Sequence, residues 1–149
     1  MRKDIKLYNV LFPLWMLLMF PMMWLIVLPG NFLIDSLVLL ICMKIFKISG
    51  KKDFYKKNIL KIFGIGLLSD AVGAICLFIT VITEVWDFNN EMYFAVGGII
   101  ISAVLIFVLN YYITFKECEK KTRLKLSLVF SIVTAPYTFL VPTTWLYNF

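Results

Sequence analysis

Residues 62–83 form a run of more than twenty residues with one charged side chain, Asp70. A helix rises about 1.5 Å per residue, so about twenty such residues cross the roughly 30 Å hydrocarbon of a bilayer. Hydrocarbon offers no partners to backbone N–H and C=O groups, so a spanning segment must close its own hydrogen bonds. This run therefore points to an all-α fold, a polytopic integral membrane helical bundle. Composition agrees: 62% of the 149 residues are hydrophobic, whereas a soluble domain is nearer half apolar.

Five spans are expected in one membrane domain, residues 1–149, at about residues 10–28, 32–48, 59–83, 92–115 and 126–146. Pro29, Gly30 and Asn31 read as a break between the first two, with Asn31 as the N-cap of the second. The start, MRKDIK, has the look of a signal peptide. The apolar run after it is too long for a signal core and no small-x-small cleavage site follows, so it reads as a retained first span. Pro13, Pro21 and Pro136 are expected to kink their helices.

Charge sets the orientation. Arg2, Lys3 and Lys6 precede the first span, Lys44 to Lys61 surround the loop between the second and third, and Lys116 to Lys125 surround that between the fourth and fifth. Together these hold all 15 Lys and Arg residues, while the loop between the third and fourth spans carries Glu84, Asp87 and Glu91. Basic loops stay cytoplasmic, which puts the N-terminus inside and the C-terminus outside. Trp24, Trp86 and Trp145 fall near the outer boundary, where an aromatic belt belongs. The net charge of +6 is thus a topology signal, and no nucleic-acid partner is expected. Attraction of these loops to anionic lipid is a second reading of the same charge. Frequent Ile, Phe, Lys, Asn and Tyr suit a low-GC, bacterial gene, so the expected location is a bacterial plasma membrane, multi-pass.

The third span carries a small and polar stripe of Gly66, Ser69, Asp70, Gly73, Cys76, Thr80 and Thr83. Small residues let membrane helices approach closely, so this stripe should face protein. Gly98, Ser102, Asn110 and Thr114 lie near one line of the fourth span, and Ser127, Ser131, Thr134 and Thr138 on one line of the fifth. Gly66, Gly73, Gly98 and Ser102 are the expected helix-packing positions. Spans two to five should form the core, with the first at the periphery.

Measured from the charged inner ends, Asp70 stands roughly 13 Å above Lys61 and Asp35 roughly 20 Å above Ile48, near the membrane centre. An acid there costs at least about 2.5–3.5 kcal/mol on insertion scales and often marks an ion or proton path. The candidate cation site is Asp70 with Asp35, Ser69, Asn110 and Thr134. Three structural readings stand beside it. Lys44 could pair with Asp70, a protonated Asp70 could bond two helices together, and Asp35 could cap the start of the second span.

Enzymatic chemistry lacks its parts. There is no histidine, no phosphate-binding Gly-rich loop, and Cys42, Cys76 and Cys118 lie in separate segments, so no metal, disulfide, cofactor or catalytic residue is expected. Membrane aspartyl proteases carry Gly-x-Gly-Asp, but here Gly64-Ile65-Gly66 is followed by Leu67, and Asp70 comes later. NFLIDSLVLL (residues 31–40) resembles the first membrane helix of the sporulation sigma-factor-processing peptidases. The likeness covers one helix, and that family's protease domain has no counterpart in these residues. Two functions remain. The chain is an ion-coupled transporter or channel component, or it is a non-transporting assembly or regulatory subunit that docks through its small-residue face. Either sits in the lipid bilayer as a homo-oligomer or in a larger membrane complex.

Overall fold

A computed structural model describes residues 21–83 and 91–137. Their regular elements are all helices, with no strand among the described residues: α1 (Pro21–Ile45), α2 (Lys51–Ile82), α3 (Glu91–Leu109) and α4 (Lys120–Val133), with a π-helical turn, Asn110–Thr114, extending α3. Three segments are long and apolar enough to cross a membrane, Val27–Ile45, Lys51–Thr80 and Tyr93–Thr114. In these windows only 22%, 28% and 28% of the residues are buried. The apolar remainder faces outward, as lipid-facing surface does.

The helix boundaries correct the expected spans. Pro29, Gly30 and Asn31 do not break the chain, because α1 runs through all three. Proline forfeits one backbone hydrogen bond, whereas a break would free several more, so a spanning helix tolerates it. Residues 21–28, assigned to the first span, thus belong to the helix of the second, and Asp35 lies well inside α1 and caps nothing. At the other end, α4 stops at Val133, three residues ahead of Pro136, and the fifth span beyond Tyr137 lies outside the described residues. Residues 10–20 of the first span, residues 138–146 of the fifth, Pro13, Trp86, Thr138 and Trp145 lie outside the described residues.

α1 and α2 form a hairpin closed by a tight turn. Lys47 adopts φ 50°, and the N–H of Ile48 donates to the carbonyl of Met43 at 3.2 Å. This is a Schellman-type end, with Ile48 packing on the core that includes Met43. Gly50, at φ 69°, then accepts the first bond of α2 from the N–H of Phe54 at 3.0 Å.

Buried residues recur every three or four positions. They are Asp35, Val38, Leu39, Cys42 and Met43 on α1, Ile62, Ile65, Ser69, Gly73 and Leu77 on α2, and Ala95, Gly98, Ser102 and Ile106 on α3, continuing to Asn110. That spacing keeps one stripe of each helix facing its neighbours. α2 packs between α1 and α3, and α4 packs on α3. The apolar core gathers at the end of the hairpin turn, where Phe115 stacks with Phe54 at 6.3 Å and meets Phe130 at 5.8 Å between ring centroids.

Candidate functional site

Asp35 is 5% exposed and faces α2 at Gly66. A Cβ on Gly66 would stand 3.7 Å from Asp35 Oδ2. Asp70 stands one turn beyond Gly66 on α2, where helical side chains lean toward the helix N-terminus. The missing side chain of Gly66 leaves room for the Asp35 carboxyl against α2, and Asp70 is the next acid along that helix. The two acids are close enough to interact electrostatically, and Asp70 Oδ1 is buried without a hydrogen-bond partner among the described residues.

Neither acid has an ion-pair partner among the described residues. Lys44 is exposed and stands nine residues beyond Asp35 on α1, about 14 Å along the axis. The pairing of Lys44 with Asp70 is therefore absent here. Two carboxyls with a common apolar surround repel each other when both are ionised, and a bound proton or monovalent metal ion removes the conflict.

Ser69 stands beside Asp70 and is fully buried, its Oγ without a partner among the described residues. Its carbonyl accepts a 3.0 Å hydrogen bond from Ser102 Oγ, which joins α2 to α3 at the level of the acids. Gly98, one turn from Ser102, lies under Leu77: a Cβ there would approach Leu77 Cγ to 2.9 Å. Gly73 is buried on the same face of α2.

Two candidates do not join this site. Asn110 is eight residues beyond Ser102, about 12 Å along the axis toward the hairpin-turn end. Thr134 Oγ1 donates to the carbonyl of Phe130 at 2.7 Å, on its own helix, and makes no hydrogen bond to either acid. Ser131 does the same with Leu128 at 2.9 Å.

The basic loops meet at one end of the bundle. Lys57 Nζ lies 2.6 Å from Glu117 Oε2, and this hydrogen bond, with the lysine charge behind it, holds the Glu117 carboxyl below the usual carboxylate range. Arg123 lies over the Tyr111 ring at 4.2 Å and donates to its hydroxyl at 3.0 Å. Every Lys and Arg of the described residues belongs to this end. Burial pushes the nearby Cys118 thiol up.

Sequence reasoning missed the contact of Asp35 with Gly66, the clamp of Leu77 on Gly98 and the Ser36–Tyr55 hydroxyl pair at 2.5 Å. The signal for the first was a glycine one turn before an intramembrane acid. The others depend on which helices become neighbours. No family model, curated protein or solved structure matches the chain.

Proposed function

We propose that this chain is a multi-span membrane protein through which a monovalent cation, a proton or Na⁺, passes by way of Asp35 and Asp70. The observation that carries the reading is that Asp35 on α1, set against Gly66, and Asp70, one turn beyond Gly66 on α2, feel each other's charge and have no basic partner among the described residues. Ser69, buried and unpartnered beside Asp70, offers a neutral oxygen to the same cation. With the hairpin-turn end of the bundle facing the cytoplasm, the basic residues from Lys44 to Lys61 and from Lys116 to Lys125 lie on the inner face of a bacterial plasma membrane. The role needs no cofactor and no covalent chemistry.

The second reading is a non-transporting subunit docked through the small-residue face of α2. That face is taken by α3, through the Ser102–Ser69 bond and the Leu77–Gly98 contact, so a partner there would have to displace it. Cation passage is tested by reconstituting the purified protein in lipid vesicles and recording proton and Na⁺ flux for wild type and Asp70→Asn. The reading expects flux in the wild type and its loss in a folded Asp70→Asn. Wild-type vesicles as tight to both ions as protein-free vesicles would overturn it.

A further inference from the structure

The seam between the π-turn and α4 contains hydrogen-bonding groups that the cation reading does not use. Asn110 and Ser127 are fully buried and Thr114 is 5% exposed. Asn110 Nδ2 and Oδ1, Thr114 Oγ1, Ser127 Oγ and Arg123 Nε all lack a hydrogen-bond partner among the described residues. Burying such groups unsatisfied costs about 1–3 kcal/mol each, so native structures rarely leave them so.

The four residues belong to two elements that pack on each other, the π-turn and α4. Asn110 and Thr114 are one turn apart on the buried side of the π-turn. Arg123 and Ser127 are one turn apart on α4, and Arg123 is fixed on the π-turn by the ring and hydroxyl of Tyr111. α4 packs against the π-turn, and Phe115, which follows that turn, meets Phe130 of α4. π-Turns widen a helix locally and recur at binding sites.

The chemistry of the set selects its ligand. Arg123 Nε, Asn110 Nδ2 and both hydroxyls can donate, and Asn110 Oδ1 is the one pure acceptor of the set. The guanidinium has no ion-pair partner among the described residues, for Glu117 is tied to Lys57 and Glu119 is exposed. Lys116, Lys120, Lys121 and Lys125 are near Arg123 in the chain and add positive charge to this end of the bundle. A cation is disfavoured there, and a small acceptor of negative charge satisfies both the donors and the guanidinium.

We propose that Arg123, Ser127, Thr114 and Asn110 form a binding site for a small monovalent anion of the halide class, at the basic end of the bundle and separate from the two acids. The full chain, purified in detergent, is melted in sodium chloride and in sodium gluconate at equal ionic strength. The wild-type midpoint should rise saturably with chloride. Ser127→Ala should weaken the apparent chloride affinity about tenfold, the worth of one hydrogen bond to an ion. Arg123→Lys, which keeps the charge and loses the Nε donor, should do the same, while Lys57→Gln, outside the seam, should keep the wild-type response. Equal wild-type midpoints in the two salts would mean that water alone fills the seam and would overturn the proposal. A chloride response unchanged in Ser127→Ala and Arg123→Lys would reduce it to charge screening and overturn it too.

Discussion

Asp35 Oδ2 lies 3.7 Å from where a Cβ would stand on Gly66, in ordinary van der Waals contact with a position that the sequence leaves bare. The relationship makes one site of two acids that lie 35 residues apart in the chain. Asp35 is held by α1 at the level of Gly66, and Asp70 follows one turn later on α2.

Two glycines of the bundle should respond differently to alanine. Gly66→Ala adds a methyl at ordinary contact distance and gains helix propensity, so thermal unfolding in detergent should show stability unchanged or raised by up to about 1 kcal/mol. Gly98→Ala drives the methyl to 2.9 Å from Leu77 Cγ and should cost about 1–3 kcal/mol. Leu77→Ala in the Gly98→Ala background should recover part of that loss, since the two residues share one contact.

The hairpin turn between α1 and α2 uses a lysine where glycine is preferred. Lys47 at φ 50° carries the strain of a left-handed conformation, worth roughly 1–2 kcal/mol for a residue with a Cβ. Lys47→Gly should raise stability by about 1 kcal/mol, and Lys47→Ala, which keeps the strain, should not. Melting curves of the two variants beside wild type check this.

The Lys57–Glu117 pair sets a pH dependence of known sign. The Glu117 carboxyl is held below its ordinary value by Lys57, so its contribution is present above the unfolded glutamate range. The contribution is lost as pH falls through the lowered value. Glu117→Gln should therefore melt slightly below wild type at neutral pH and together with it at strongly acid pH. Both groups are exposed, so high salt should shrink the neutral-pH difference.

The helical class was legible because a run such as residues 62–83 can cross a bilayer only with its backbone bonded to itself. Local punctuation was less reliable. Pro29-Gly30-Asn31 would end a helix in water, where freed backbone groups find solvent, yet α1 continues through all three. The two acids were visible as charges in apolar runs, while their meeting depended on the hairpin register that places Gly66 opposite Asp35. Asn110 entered the candidate site through a depth measured from the charged ends of the spans. That ruler ignores tilt, and the Ser102–Ser69 bond puts Asn110 two turns away from the acids. Leu77 looked like one aliphatic residue among many, and it is buried because glycine on α3 opens the space that it fills.

The central claim is that Asp35 and Asp70 act on one cation. The most direct measurement is proton and Na⁺ flux into vesicles carrying wild type, Asp70→Asn or Asp35→Asn, with folding of each verified by its melting curve. The account predicts that wild-type flux is lost in both variants. Wild-type flux retained in a folded Asp35→Asn would contradict it, since the contact over Gly66 would then serve packing alone.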